Sequence, residues 1–296
     1  MTHDGLQTGE KYLVTVADDL GRSASVNEAI AEAHDNGILT AASLMAGGEA
    51  FQGAIQIALK RRHLSVGLHA TFCDGRPVLP PSRIPALVGP DGCLKKNPAV
   101  AGLRYIRPGL FPQIEAEIEA QFNRIEEAGI HPSHVDGHHH LHIHPVIFEM
   151  LCRQASRRGV SWIRIPREPL SAVLSLHSRF WGILSFVEWM VFRMLGVCNL
   201  RTARRHGLSV ADSVFGLSRT ERIDEKYLCD ILNHAKGSLN EIFTHPDTAT
   251  GAGRLELEAL TSSRVRERLD SLGIALVGYQ DLSEKNVTVN SALERL

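Results

Sequence analysis

The sequence predicts an α/β protein built from parallel βα units, and three observations carry that reading. Short apolar runs alternate with helical patterns from one end of the chain to the other. Polar clusters sit where the apolar runs stop, the place where parallel α/β folds gather their functional groups. The composition, 44% hydrophobic and 22% charged over 296 residues, is that of an ordinary globular protein with enough chain to bury a large core. Such units build either an open doubly wound sheet or a (β/α) barrel, and the alternation alone leaves both open.

Lys11–Ala17 reads as a buried strand, rich in β-branched and aromatic residues. Ser25-Val-Asn-Glu28 has capping-box spacing, and Val26, Ile30 and Ala33 then share a helical face that Asn36-Gly37 ends. Ile38–Leu44 and Leu64–His69 are the next strands, separated by a helix over roughly 49–62. The stretch 77–108 holds seven prolines without a period and predicts an irregular excursion. From Pro112, the spacing of Ile114, Ile118, Phe122 and Ile125 predicts a helix closed by Gly129. Ser133–His138 is a strand and Pro145–Arg158 a helix; Val160–Ile165, Leu239–His245 and Ile274–Val277 complete the strands. The expected organisation is a tail over 1–10, one domain over 11–285 and a tail over 286–296.

Charge and cysteine usage narrow the function classes. A net charge of −1 gives no general attraction to nucleic acid or anionic membranes. The five cysteines are odd in number and never spaced C-x-x-C, which argues against a disulfide scaffold or zinc ribbon and for a reducing compartment. The first ten residues lack the apolar core of a secretory signal, so a cytoplasmic protein is expected. The apolar stretch 180–200 contains Glu188 and Arg193 and fails as a membrane span.

Histidine is the anomaly. There are 15, seven of them between His131 and His144, including the run His138-His139-His140-Leu141-His142-Ile143-His144. The other polar strand ends are Asp18-Asp19, His69, Asp136-Gly137-His138 and His245-Pro246-Asp247. Adjacent carboxylates after an apolar strand are costly unless a cation neutralises them. Aspartate with two histidines and open positions suits a catalytic divalent metal, Zn²⁺ first and then Mg²⁺, Mn²⁺ or Fe²⁺. Each signal has an ordinary alternative: Asp18-Asp19 before Gly21 as a turn and helix cap, His69 as a core histidine, Asp136 as a strand-end cap, and Arg164 with Arg167 as a solvated pair. Their shared position at strand ends favours metal-assisted hydrolysis of an amide or ester.

Val16-Ala-Asp-Asp-Leu-Gly21, Val66-Gly-Leu-His69, His134-Val-Asp-Gly-His-His-His-Leu-His142 and Ile242-Phe-Thr-His-Pro246 resemble, in order, the motifs of the YdjC-like (ChbG/HpnK) carbohydrate deacetylases. The resemblance spans roughly 11–280; Val16 and Leu20 stand where the family usually has Asn and Phe. It implies a distorted (β/α) TIM-barrel-like single domain and a divalent metal, Zn or Mg, held by Asp19, His69 and His138. Asp18 then matches the catalytic base and His245 is a candidate general acid. Asp136, His140 and Arg164 are expected to orient ligands or touch substrate.

Gly67-Leu-His-Ala70, Asp74-Gly-Arg-Pro-Val-Leu-Pro80 and Asp212-Ser-Val-Phe-Gly216 look closest to the hopanoid-associated HpnK branch. That likeness implies removal of an N-acetyl group from a glucosamine-bearing lipid. Residues 180–192, with two Trp and three Phe, read either as a core-facing helix or as an exposed cap that receives a lipid tail. Expected partners are an N-acetylated sugar or glycolipid, a second copy of the chain, and a membrane surface touched peripherally through 180–192. Three alternatives remain open: a chitooligosaccharide deacetylase, another metallohydrolase barrel using His138-x-His140, and a non-catalytic metal- or sugar-binding protein.

Overall fold

A run of ten residues, Lys11–Leu20, forms the longest strand, β1, and every residue after Lys11 is buried. That continuous burial is what a strand covered on both faces requires. The computed structural model describes residues 11–176 and 183–284; for 175, 176, 183–188 and 284 it gives the backbone alone. Chain order continues with α1 (Ala24–Asn36), β2 (Ala41–Leu44), α2 (Phe51–Lys60), β3 (Ser65–Ala70), α3 (Pro98–Tyr105), α4 (Phe111–Glu127), β4 (Val135–Gly137) and α5 (Pro145–Arg157). Then come α6 (Leu170–Leu176), α7 (Ile183–Arg205), β5 (Ser213–Phe215), α8 (Glu225–Ile231), β6 (Leu239–Thr244), α9 (Gly251–Thr261), α10 (Ser263–Leu272), β7 (Ile274–Leu276) and α11 (Tyr279–Glu284).

All strand pairs are parallel, in the order β4-β3-β2-β1-β6-β5, with β7 also on β1. Single parallel bridges from Val135 to Ile163 and from Trp162 to Ser209 carry the curl onward toward β5. The result is the distorted (β/α) barrel that the family motifs imply, in one domain. Two apolar clusters follow from the period-2 alternation of its strands. Leu13 and Ala17 point outward into the large cluster under the helices. Tyr12, Val14 and Val16 point inward, meeting Trp162, Leu239, Phe243 and Tyr279 inside the barrel.

The expected strands and helices are present with shifted ends, and five differences have physical causes. Helix α1 is capped by Ser23, whose side chain accepts from the Val26 N–H, so Ser25 is not the capping residue. The expected strand 160–165 is reduced to the two bridges at Trp162 and Ile163, since the chain runs into Pro166, which has no N–H to donate. Strand β5 has three residues, too few to show an alternation. The excursion 77–108 is irregular except for α3, which Asn97 caps ahead of Pro98. The segment 180–192 is helical from Ile183; 180–182 lie outside the described residues, as do the expected tails. Of its described side chains, Met190 and Val191 are exposed, as are Met194 and Val197 beyond it. Trp189 and Phe192 are half-buried, and further along the same helix Asn199, Leu200 and Ala203 are buried, so the described part has one exposed and one packed face. Among the described residues, no helix is long and apolar enough to cross a membrane.

Candidate metal and catalytic site

Strand register brings the site together. β1 and β6 pair from Tyr12 opposite Leu239 to Ala17 opposite Thr244, so Asp18 and His245 emerge side by side from adjacent strand ends. β3 and β4 pair with His69 opposite Asp136. The β1–β2 register shifts between Ala17 and Leu20, an irregularity of the kind that re-aims side chains at strand ends. There Asp19 takes a left-handed φ of 65° and Gly21 one of 90°, a conformation aspartate tolerates and glycine adopts freely. His139 and His140 are also left-handed, at 50° and 53°. This strained turn follows Gly137, where an added Cβ would lie 2.7 Å from the Cβ of His142.

Asp19, His69 and His138 converge. Asp19 Oδ1 lies 2.8 Å from His138 Nδ1 and 3.2 Å from His69 Nε2. Asp19 Oδ1 and His69 Nε2 are buried with no hydrogen-bond partner, so the atoms are close without being aligned to bond one another. One carboxylate oxygen and two ring nitrogens arranged in this way can hold a metal ion. His69 Nδ1 meets Asp136 Oδ1 at 2.7 Å, the carboxylate–histidine pairing that fixes a ligand's tautomer and ring direction. Asp136 is in turn bonded by the Ser43 hydroxyl at 2.6 Å.

Charge at the site also calls for a cation. Arg164, 1% exposed, donates from Nη1 and Nη2 to Asp18 at 2.7 and 2.9 Å. It also pairs with Asp136 at 2.8 Å and with Glu241. Tyr279 donates to the other oxygen of Glu241. One guanidinium thus faces three buried carboxylates, and buried charges left unpaired are strongly unfavourable. Burial works to lower the pKa of His69, but the charges of Asp136 and Asp18 outweigh it and raise it to about 10. Burial pushes the carboxyl of Asp19 up, and the nearby His138 and His69 hold it well below the ordinary range. The pocket therefore draws in a proton where a metal would sit.

Arg164 is a buried clamp on three acids, which sets aside its reading as half of a solvated surface pair. Arg167 does not line the cleft; it faces Trp189 and Arg193. Among the other histidines, His140 borders the cleft and packs its ring 4.7 Å from Phe243. His142 is fully buried, with Nε2 at 3.1 Å from the Arg164 carbonyl, and His139 is exposed beside Asp74. His245 stands at the edge, its Nε2 3.9 Å from Asp18 Oδ2, with its backbone N–H held by the buried Glu256.

The opening has two lobes that share Asp18, Asp19, Arg22, Glu221 and His245. One, of about 380 Å³, is walled by His140, Phe192 and the 217–222 loop. The other, of about 490 Å³, is lined by Ser23, Ser25, Asp247 and Thr250. Sequence reasoning missed Arg22 and Glu241. The signal for Glu241 was present, since an acid inside an apolar strand must meet a cation.

A parallel barrel with Asp-His-His at its strand ends, beside an Arg-held aspartate and a histidine, defines a (β/α) protein with residues that could hold a metal ion. The chain belongs to the YdjC-like protein family, whose model matches residues 12–271. It is 28% identical over 288 residues to a carbohydrate deacetylase of Geobacillus stearothermophilus, covering 92% of this chain and 98% of that one. It is 30% identical over 303 residues to a carbohydrate deacetylase of Mus musculus, covering 92% and 95%. A solved structure from Enterococcus faecalis V583, described as a proposed cellobiose-phosphate cleavage protein, shares the fold with a TM-score of 0.73 at 21% identity, over 93% of this chain and 99% of that one.

Proposed function

We propose that the protein is a metal-dependent carbohydrate N-deacetylase. The observation that carries this reading is the convergence of Asp19 Oδ1, His69 Nε2 and His138 Nδ1 beside a further buried acid, Asp18, whose two oxygens Arg164 already holds. Membership of the YdjC-like family and likeness to two carbohydrate deacetylases support it. A divalent cation, Zn²⁺ or Mg²⁺, held by Asp19, His69 and His138 would supply Lewis acidity at the acetamide carbonyl and lower the pKa of water.

The chain's own residues do the rest. Asp18, on the inward face of β1 and gripped through both oxygens by Arg164, is the base that takes a proton from the attacking water. Arg164, donating to both oxygens, fixes the direction of that carboxylate. His245, on the far side of Asp18, donates a proton to the departing amine. Asp136 holds His69, and His140 with Phe192 shapes the wall against which the sugar lies. A non-catalytic sugar- or metal-binding protein that used Asp19, His69 and His138 would not need the basicity of Asp18.

The substrate we favour is N-acetylglucosamine carried on a lipid, the glycosylated hopanoid of the branch it resembles. The support is the exposed apolar run Met190, Val191, Met194 and Val197 on the helix that also brings Phe192 to the cleft. A chitooligosaccharide is the second reading, favoured by the polar lobe at Ser23, Ser25 and Thr250. Acetate release from an N-acetylglucosaminyl hopanoid and from N,N′-diacetylchitobiose, with and without chelator, tests both. Chelator-sensitive release is expected, with the lipid preferred; no release from either by zinc-loaded protein overturns the deacetylase reading. Met190→Ser with Met194→Ser should lower turnover of the lipid in vesicles and leave the soluble sugar unchanged. Equal loss on both would remove the lipid from the proposal.

A further inference from the structure

The second oxygen of Asp19 is already taken. Arg22 Nη1 donates to Asp19 Oδ2 at 2.7 Å, while Arg22 Nη2 lies 3.6 Å from Asp74 Oδ2. The Arg22 backbone N–H also closes a turn onto the Asp19 carbonyl at 2.9 Å. Arg22 is thus anchored at both ends, next to a left-handed aspartate whose Oδ1 faces the two imidazoles without a hydrogen-bond partner. It also stands where the two lobes of the cleft meet. The charge of Asp19 outweighs burial and raises the guanidinium's pKa further, so the arginine is cationic at every working pH.

A carboxylate can grip a divalent cation through one oxygen or through two. We infer that Arg22 is a positioning residue that restricts Asp19 to one-oxygen ligation through Oδ1, at some expense of metal affinity, and so keeps coordination positions free for water and substrate. Two physical effects set the sign. A guanidinium beside a ligand carboxylate repels a nearby dication, so removing it favours metal binding. Freed Oδ2 then becomes a second donor, which tightens binding and fills a position the reaction needs. This sign is opposite to that of Asp136, whose contact with His69 helps the ligand bind.

The inference rests on the metal-dependent reading above, and the experiment separates the two. Wild type, Arg22→Ala and Arg22→Lys are compared for Zn²⁺ affinity by chelator competition, for the visible spectrum of the Co²⁺ form, and for kcat at saturating metal. Arg22→Ala should bind Zn²⁺ at least as tightly as wild type, and its Co²⁺ form should show the weaker d–d bands of a higher coordination number. Its kcat should fall about 10- to 100-fold, the size typical of residues that orient a ligand. Arg22→Lys, which keeps one donor to Oδ2, should recover most of the spectrum and part of the rate. Affinity lower by tenfold or more, with kcat restored at saturating Zn²⁺, would mean that Arg22 only assembles the site and overturns the inference. So would three unchanged readouts, the mark of a solvated surface pair. Wild type that binds no Zn²⁺ removes the metal reading and this inference with it. Wild type that binds Zn²⁺ but releases no acetate removes only the deacetylase reading, and affinity and spectrum still judge Arg22.

Discussion

Arg164 donates two parallel hydrogen bonds to the two oxygens of Asp18, at 2.7 and 2.9 Å, with both side chains all but fully buried. A fork-on-fork pair of this kind fixes direction as well as charge. Asp18 is therefore held with its plane set by the barrel interior, next to the proposed ligand triad of Asp19, His69 and His138. Asp18→Asn keeps the shape and one acceptor and removes the basicity. Its Zn²⁺ affinity should stay within a few-fold of wild type while kcat for acetate release falls about 10²- to 10⁴-fold, the usual share of a general base. Turnover within tenfold of wild type would exclude Asp18 as the base.

Arg164 also serves the fold. Its three carboxylate partners, Asp18, Asp136 and Glu241, are each 1% exposed or less, and the guanidinium lies over the Phe243 ring at 4.9 Å. Breaking a buried pair by removing one partner costs about 3–5 kcal/mol. Arg164→Met should lower unfolding stability in chelator by about that amount, read from urea midpoints. Arg164→Lys should lose less, since it keeps the charge and gives up the fork. A loss under about 1 kcal/mol for Arg164→Met would mean that the acids are protonated or solvated in the free protein.

The pairing of His69 with Asp136 makes a separate claim on metal affinity. Their opposition across β3 and β4 places Asp136 Oδ1 at 2.7 Å from Nδ1, leaving Nε2 directed at Asp19. Asp136→Ala should weaken Zn²⁺ binding about 10- to 100-fold, measured by competition with a chromophoric chelator. Asp136→Asn, which still accepts from Nδ1, should weaken it less. Unchanged affinity in both would mean that packing alone orients the His69 ring.

Much of the site was legible because it lies at strand ends, where a run of apolar residues gives way to Asp18-Asp19, His69 or His138. A pattern of that kind survives in one dimension. Register does not: nothing local to Leu239–Thr244 says that Thr244 stands opposite Ala17, and that pairing is what sets His245 against Asp18. The burial of Arg164 was hidden for the same reason. Alternation around Ile163 and Ile165 leaves its direction undecided, and only the closing of the barrel turns it inward onto acids from β1, β4 and β6. The histidine run divides by geometry that sequence cannot supply, since two left-handed residues, His139 and His140, separate buried His138 from buried His142. Histidine was the anomaly of the sequence, and the fold spends several of those imidazoles on packing.

That packing has a consequence at acid pH. His134 and His142 are both fully buried, and burial, the largest influence on each, lowers their pKa values from the ordinary range to about 4, with Arg164 acting in the same direction. An unfolded histidine titrates near 6.5. Between pH 6.5 and 4 the unfolded chain therefore binds protons that the folded chain refuses, and stability must fall as the pH falls. Each histidine contributes about 3 kcal/mol to that loss, at 1.36 kcal/mol per unit of pKa difference. Buried Glu117 and Glu168, whose carboxyls burial raises, act with the opposite sign, so one protein's pH profile mixes the two. A comparison with His142→Gln cancels them, because Gln keeps a donor for the Arg164 carbonyl and has no proton to take up. In chelator, wild type should lose about 2 to 3 kcal/mol more than His142→Gln between pH 7 and pH 4.5, read from urea midpoints. Parallel profiles would show that His142 accepts its proton without unfolding, through an opening to water at the 138–143 turn.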